Sequence, residues 1–162
     1  MTLVAVISDT HMPRGGRRLP RGCLDLLEEA EIILHGGDVT TGAVLDELRK
    51  LAPLHAVHGN QDDADLKATL PERLVAEIAG VRIGMIHDAG RRHGRAERLA
   101  AAFPGCDAVV YGHSHVPEVS RHGELWILNP GSPTERRSAP RRSLLAVEVG
   151  SGEIRPRLVE LE

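Results

Sequence analysis

The chain has 162 residues, a length that predicts a single domain spanning residues 1–162 with one hydrophobic core. A net charge of −3 and only one Trp, one Tyr and one Phe argue against a stable nucleic-acid partner, because such proteins usually carry a basic surplus or aromatic stacking platforms. No apolar stretch is long enough to cross a bilayer and no basic leader precedes the first apolar run, so we expect no membrane association and a cytoplasmic location.

The first half of the chain alternates short apolar runs, typical of buried strands, with apolar residues at helical spacing. Pro20 stands at the start of the first helical pattern, where its missing N–H costs nothing, and Pro53 closes the second. The predicted elements in chain order are a strand at 3–7, a helix at 20–30, a strand at 32–34, a helix at 44–51 and a strand at 54–58.

The second half of the chain is richer in strands. Ala79-Gly80 separates two apolar runs and predicts a hairpin turn, while Pro104-Gly105 ends the last helical pattern. The predicted elements are strands at 74–78 and 81–86, a helix at 95–103, and strands at 108–111, 125–128, 144–149 and 154–161. This order predicts an α/β fold with a mixed sheet, arranged as two packed sheets between helices.

The two cysteines, Cys23 and Cys106, lie far apart in the sequence and belong to no CxxC pair. Disulfides form mainly in secreted proteins, and the start of the chain has no secretion-signal pattern. We therefore predict two buried thiols and no disulfide.

Residues that can coordinate a metal follow five of the predicted strands. They are Asp9 and His11, Asp38, Asn60 and Asp62, His87, and His113 and His115. Ligands of open α/β sheets bind just beyond the carboxyl ends of the strands. Solvated loops would instead carry Lys, Glu and Ser at such positions. The pattern therefore predicts a metal site built from the ends of several strands.

The spacing within these motifs favours a shared site. Asp9 and His11 lie two residues apart, as do His113 and His115, and side chains at i and i+2 of an extended segment point the same way. We therefore expect each pair to hold a metal from one segment. Glycines directly before Asp38 and His113 would allow the close backbone approach that a crowded site needs.

The candidate ligands are carboxylates, imidazoles and one amide, without a thiolate. This mixture suits Mn, Fe, Zn, Co or Ni and disfavours a cysteine-type structural zinc site or a purely oxygen-lined Mg or Ca site. Without Asp62, seven candidate ligands remain; these are too many for one ion, whereas two ions that share one carboxylate would use them all. Two metals about 3.5–4 Å apart can hold a bridging hydroxide and clamp a phosphoryl group during in-line displacement.

In this order, the motifs resemble those of the calcineurin-like metallophosphoesterase superfamily. They are Asp9-x-His11, Gly37-Asp38, Gly59-Asn60-x-Asp62, His87 and Gly112-His113-Ser114-His115. The small size and the tail at 129–133 resemble the compact bacterial and archaeal phosphodiesterase branch, to which the retromer subunit of eukaryotes is related. The resemblance extends from Ser8 to about Ser132 and implies a four-layer α/β/β/α sandwich with two mixed β-sheets.

The resemblance also implies a role for each residue. It assigns the first metal to Asp9, His11, Asp38 and His115, and the second to Asp38, Asn60, His87 and His113. Asp38 would bridge the two ions, and it is a candidate catalytic residue together with Asn60, His87 and Asp62. We expect Asp62 to orient the loop of Asn60 rather than to bind metal. Small members often work best with Mn or Ni, so Mn is the favoured metal, with Ni, Fe, Zn and Co as alternatives.

The expected function is hydrolysis of the phosphodiester bond of a small phosphate-ester substrate by a metal-bridging hydroxide. One alternative is a phosphomonoesterase or nucleotide phosphatase that uses the same site. Another is a non-catalytic scaffold, because the retromer subunit uses this fold as a binding surface. That relative has lost a metal-binding His, whereas every ligand position is intact here. The resemblance also allows for a homo-oligomer.

Two positions depart from the superfamily pattern. Many members carry a His directly after the metal-binding Asn, where it helps to protonate the leaving group, and here that residue is Gln61. Many relatives have Gly after the second-metal His, whereas here Asp88 follows His87.

Several cationic and imidazole side chains outside the motifs have two interpretations. The segment Arg91–Arg95, which contains His93, is either a mobile loop that reaches over a phosphate or a solvated loop. His35 and His58 lie at strand ends, and we interpret them as core residues or supports for ligands rather than as ligands.

Overall fold

The structure, a computed structural model, describes residues 1–162 and contains ten β-strands and four α-helices. The strands are β1 (Thr2–Ile7), β2 (Ile32–His35), β3 (Leu54–Ala56), β4 (Arg73–Ile78), β5 (Val81–Ile86), β6 (Ala108–Val110), β7 (Glu118–His122), β8 (Leu125–Asn129), β9 (Arg142–Gly150) and β10 (Glu153–Leu161). The helices are α1 (Arg21–Glu29), α2 (Gly42–Arg49), α3 (Ala64–Thr69) and α4 (Arg95–Ala102), and a 3-10 turn covers Arg14–Gly16. None of the helices is long and apolar enough to cross a membrane.

The strands form two mixed sheets of five strands each. The first sheet has the order β10-β9-β1-β2-β3, and the second has the order β4-β5-β6-β8-β7. In the first sheet β1, β2 and β3 are parallel, whereas β9 and β10 run antiparallel to their neighbours. In the second sheet β5, β6 and β8 are parallel, and the edge strands β4 and β7 are antiparallel. The parallel strands of each sheet thus end at a common edge.

Three apolar cores separate the sheets and helices into four layers. Alternate residues of β1 illustrate this, because Ala5 and Ile7 pack against α1, α2 and α3, while Val4 and Val6 pack against the second sheet. A third core buries Leu99 of α4 against the outer face of the second sheet. The predicted four-layer α/β/β/α sandwich with two mixed sheets is therefore confirmed.

Two elements were not predicted from the sequence pattern. In α3 only Leu66 is buried, so the helix has no apolar periodicity, and its start is fixed instead by Asp63, whose Oδ1 accepts a hydrogen bond from the Leu66 N–H at 2.8 Å. In β7 no residue is buried, since the strand lies at a sheet edge. The prediction of a strand at 54–58 was too long, because β3 ends at Ala56.

The cysteines form no disulfide, but the prediction of two buried thiols was right for only one of them. Cys23 lies on the buried face of α1, and burial raises the pKa of its thiol to about 12. Cys106 is only half-buried, because it follows α4 at the edge of the third core.

Candidate metal centre

Six of the predicted ligands form two groups at the carboxyl ends of the parallel strands. The first group is Asp9, His11 and His115, and the second is Asp38, His87 and His113. Within each group the potential ligand atoms all lie within 4.8 Å of one another. Each group draws on both sheets, because positions 9, 11 and 38 follow β1 and β2, whereas positions 87, 113 and 115 follow β5 and β6.

Asp38 lies between the two groups. Its Oδ2 is 3.5 Å from Nε2 of His11 in the first group and 3.2 Å from Nε2 of His87 in the second. Asp9 also lies near both groups, with its Oδ1 3.5 Å from Nε2 of His115 and 3.7 Å from Nε2 of His87. Carboxylate oxygens of Asp9 and Asp38 therefore lie near both groups. Their shortest distances to the imidazoles of the first group are equal at 3.5 Å, and Asp38 lies closer to His87 in the second group.

Several atoms at the centre are buried and have no hydrogen-bond partner. They are Oδ1 of Asp9 and Nε2 of His11, His87 and His115. Buried polar atoms are nearly always paired, because an unpaired one costs about 1–3 kcal/mol. The three Nε2 atoms lie 3.5–3.8 Å from Oδ1 of Asp9. This cluster of one carboxylate and three imidazoles fits a site for divalent metal ions.

The two carboxylates are each anchored through the oxygen that faces away from the centre. Oδ2 of Asp9 accepts hydrogen bonds from the Ser8 hydroxyl at 2.8 Å and from the backbone N–H of His113 at 3.0 Å. Oδ1 of Asp38 accepts one from the backbone N–H of Gln61 at 2.8 Å. The remaining oxygen of each carboxylate is thereby directed toward the imidazoles.

Two of the imidazoles are oriented in the same way. Nδ1 of His87 donates to the carbonyl of Gly36 at 2.7 Å, and Nδ1 of His115 donates to the carbonyl of Glu135. A ring that donates through Nδ1 presents the lone pair of Nε2 to a metal. Burial alone would lower the pKa of His87, but the nearby carboxylates of Asp38 and Asp9 raise that pKa to about 9.

The backbone of the ligand segments is not extended. Asp9, His11, Asp38, His113 and His115 all have positive φ, with values between 46° and 72°. Such conformations cost non-glycine residues about 1–3 kcal/mol each and are concentrated at functional sites. The premise that residues i and i+2 lie in extended chain was therefore wrong, since both pairs lie beyond the strand ends. Asp9 and His11 still converge on one group, but His113 and His115 lie in different groups.

Two glycines next to the ligands are required for space. A Cβ added to Gly59 would lie 2.1 Å from Oδ1 of Asp38, and one added to Gly112 would lie 2.1 Å from Oγ of Ser8. Both distances are far below van der Waals contact. Any side chain at these positions would displace the groups that hold the two carboxylates.

Asn60 and Asp62 occupy different environments. Asn60 is exposed and lines a cleft of about 370 Å³ together with His87 and Lys67, so it lies beside the second group. Asp62 is buried, and its carboxylate accepts hydrogen bonds from the backbone N–H groups of Asp38, Thr40 and Gly59 at 2.7–3.1 Å. Asp62 thus joins the loop after β2 to the loop after β3, and its oxygens are occupied by backbone donors.

His35 and Asp88 take supporting positions, whereas the buried Nδ1 of His58 has no hydrogen-bond partner. Nδ1 of the fully buried His35 accepts from the Gly37 N–H, and its Nε2 lies 3.1 Å from the Thr10 hydroxyl, so both ring nitrogens are engaged. Burial lowers the pKa of His35 to about 4, which keeps the ring neutral. Asp88 accepts from the Gly90 N–H at 2.9 Å and so shapes the turn after β5.

The arginines near the Arg91–Arg95 segment largely hold the protein's own backbone. Arg95 donates to the carbonyl of Gly90 and to the Tyr111 hydroxyl, and Arg98 donates to the carbonyls of Ala89 and His93. Two guanidinium groups therefore fix the conformation of this loop. Arg91, Arg92 and His93 are exposed.

Three polar residues that hold the ligand loops were not predicted to have this role, and two of them, Asn129 and Ser132, are fully buried. The Ser132 hydroxyl donates to the carbonyl of Asp9 at 2.8 Å, and the Thr134 hydroxyl donates to that of Thr10 at 2.8 Å. Asn129 donates to the carbonyl of Gly112 at 3.3 Å. The available signal was the polar stretch directly after a predicted apolar strand, as in the other motifs.

Comparisons with known proteins agree with this arrangement. The pattern of the calcineurin-like phosphoesterase superfamily domain matches residues 1–152. A probable metallophosphoesterase of Methanothermobacter thermautotrophicus is 37% identical over 134 residues, which cover 82% of this chain and 77% of that protein. A probable metallophosphoesterase of Methanocaldococcus jannaschii is 35% identical over an alignment of 163 positions, which covers 99% of this chain and 82% of that protein. The crystal structure of Vps29 from Entamoeba histolytica in complex with Zn²⁺ is 28% identical, with a TM-score of 0.76 over 98% of this chain and 99% of that one.

Proposed function

The chain belongs to the calcineurin-like phosphoesterase superfamily, and on that premise we propose that it hydrolyses phosphodiesters with two divalent metal ions. The observation that carries the proposal is the pair of ligand groups joined by Asp38, whose Oδ2 approaches His11 at 3.5 Å and His87 at 3.2 Å. A single metal would leave one of the two groups without a role.

In this proposal Asp9, His11 and His115 hold one ion, His87, His113 and Asn60 hold the other, and Asp38 contacts both. The metals would activate water as a nucleophile and stabilise negative charge at phosphorus. The protein's own residues keep these ligands in place, since Ser8 orients Asp9 and the Gln61 N–H orients Asp38. The imidazole and carboxylate donors suit Mn²⁺, which we propose as the metal in preference to Ni, Fe, Zn or Co.

The surroundings of the centre support a diester as substrate. A cleft of about 370 Å³ adjoins Asn60 and His87, one of about 440 Å³ contains Gln61, and one of about 500 Å³ contains Ser114. A diester carries two organic groups on its phosphorus, and these clefts offer space on more than one side. A diester also carries one negative charge where a monoester carries up to two, so it needs fewer cationic contacts.

The experiment combines metal analysis with an ester panel. Protein freed of metal and titrated with Mn²⁺ is expected to bind two ions per chain. The loaded protein should then hydrolyse diester model substrates faster than monoesters with the same leaving group, with metal-free protein as the control. Equal or faster turnover of monoesters would assign a phosphomonoesterase instead.

The similarity to Vps29 favours one further candidate, a protein-binding scaffold with this fold. The two functions differ in what bound metal does. A scaffold would take up metal and gain thermal stability without hydrolysing any ester in the panel, whereas the proposed enzyme requires turnover in proportion to metal occupancy.

A further inference from the structure

We propose that Arg14 binds the phosphate group of the substrate beside the candidate metal centre, and that Gln61 is a positioning residue that holds the Arg14 guanidinium there. The proposal rests on the proposed function, because it names a substrate-binding group for that same site. The ligand chemistry is that of a phosphate oxyanion.

Arg14 is connected to the shared carboxylate through a single residue. It lies in the 3-10 turn, three positions after His11, and its Nη1 donates a hydrogen bond to Oε1 of Gln61 at 3.1 Å. The backbone N–H of Gln61 in turn donates to Oδ1 of Asp38 at 2.8 Å. The residue that orients the shared carboxylate thus also fixes the position of the guanidinium.

The turn that carries Arg14 is also connected to Glu135, whose carbonyl supports His115. Arg17 donates to the carbonyl of Arg14 at 2.9 Å and forms an ion pair with Glu135 at 3.2 Å. The carbonyl of Glu135 accepts from Nδ1 of His115. Through Gln61 and Glu135 the turn is therefore connected to residues that support both Asp38 and His115.

The charge of Arg14 is not neutralised within the protein. No carboxylate forms an ion pair with it, whereas Arg17, Arg95 and six other arginines are paired in this way. Its partner Gln61 is a neutral amide, which holds the guanidinium without cancelling its charge. A guanidinium has five N–H donors, and only one is engaged by Gln61, so the others are available for phosphate oxygens.

The cleft around Arg14 suits an anion. Its volume is about 440 Å³, and apart from Pro13 all of its lining residues are polar or charged. Arg14, Thr40 and Gln61 line this cleft, and they follow His11, Asp38 and Asn60 by one to three residues. The cleft also contains Asp63, but one oxygen of this carboxylate accepts from the Leu66 N–H at the start of α3.

The test uses inorganic phosphate as the probe and measures its binding to metal-loaded protein by calorimetry. Arg14→Ala should weaken phosphate binding about 10- to 100-fold, the range that hydrogen bonds to a charged group usually represent. Arg14→Lys should restore part of the loss, because it returns the charge but not the planar pair of donors. Added guanidinium ion should also improve phosphate binding by Arg14→Ala.

The variant Gln61→Glu separates the effect of the charge of the Arg14 guanidinium from the effect of its position. The carboxylate would still hold the guanidinium but would neutralise it, so phosphate binding should fall as far as it does in Arg14→Ala. The matched control is Arg18→Ala, which removes the same charge from an exposed residue four positions further along the chain. This variant should bind phosphate as the unaltered protein does.

Equal phosphate affinity of Arg14→Ala and Arg18→Ala would overturn the proposal, and so would unchanged binding by Gln61→Glu. These outcomes are distinct from a failure of the proposed function. If no ester were hydrolysed but phosphate binding still depended on Arg14, the inferred anion site would be supported and the proposed enzymatic function would be rejected. If Arg14→Ala hydrolysed esters as well as the unaltered protein does, the proposed enzymatic function would be supported and the inferred anion site would be rejected.

Discussion

At the scale of single residues, the centre depends on side chains that are anchored at one atom and free at the other. Asp9 and Asp38 each bind backbone or hydroxyl donors with one oxygen and present the other to the imidazoles. Loss of a residue that touches both ligand groups should therefore damage the whole centre, whereas loss of an outer residue should damage one group.

Asp38→Ala should abolish metal binding by both groups and reduce activity by more than about 100-fold, the upper range for losing a residue that merely supports a ligand. His11→Ala should leave the group of His87 and His113 able to bind one ion. Metal stoichiometry and initial rates of the two variants check this. If Asp9→Ala, rather than Asp38→Ala, lost both ions, Asp9 would be the shared ligand.

A second prediction at this scale concerns the proton for the departing oxygen. Gln61 can donate a hydrogen bond but cannot give up a proton. General acid catalysis is typically worth about 10²–10⁴-fold, so its absence should slow esters with poor leaving groups. The rates of a series of diesters should therefore depend steeply on leaving-group pKa, with nitrophenyl esters far faster than alkyl esters. A shallow dependence would mean that another acid acts, and His93→Ala would then test the exposed imidazole nearby.

The clustering of these Asp and His side chains was predictable because such residues after an apolar run have few structural reasons to be there. The supports were harder to predict. Ser132 and Thr134 act by donating to the carbonyls of Asp9 and Thr10, more than 120 positions away in the chain. Which hydroxyl donates to which carbonyl depends on the relative position of two loops that are distant in sequence, and no local sequence pattern encodes that position.

At the scale of elements, the turns that follow the strands contain the residues of the candidate metal centre. The strands themselves were predictable from their apolar runs, since both faces of β1 are buried. The elements that escaped prediction, α3 and β7, have one buried residue and none, respectively. Periodicity reports burial, so an element that buries little leaves no periodic signal.

The turn after β3 offers a test of how closely the backbone approaches the ligands. Gly59→Ala should impair metal binding, because the added Cβ would lie 2.1 Å from Oδ1 of Asp38. Gly42→Ala is the matched control, since a Cβ at that position meets nothing within 4 Å. Metal titration of both variants, with circular dichroism to verify folding, checks the prediction. Equal metal affinity in the two variants would show that the turn can move aside.

At the scale of the whole molecule, the centre joins the two sheets. Asp9, His11 and Asp38 follow strands of the first sheet, while His87, His113 and His115 follow strands of the second. A bound ion would therefore link two layers that otherwise meet mainly through the apolar core between them.

Metal should stabilise the folded chain for this reason. A ligand present at 100 times its Kd stabilises by about 2.7 kcal/mol, which for a protein of this size corresponds to a rise in Tm of about 5–10 °C per ion. Thermal unfolding with Mn²⁺ and with a chelator measures the difference. Asp38→Asn is the control and should show a much smaller rise in Tm with Mn²⁺. If Mn²⁺ left the Tm of the unaltered protein unchanged, the idea that metal links the two sheets would be contradicted.

The long separation between the ligands also bears on when the centre can form. The Asp9 carboxylate meets the backbone of His113 across 104 positions of chain, and it does so at the junction of two sheets. Contacts between such distant segments carry a large loop-closure cost and tend to form after local ones. We therefore expect the metal pocket to form only once both sheets have docked, so that a bound ion would stabilise the native state more than the transition state for folding. Interactions of that kind slow unfolding and leave the folding rate unchanged.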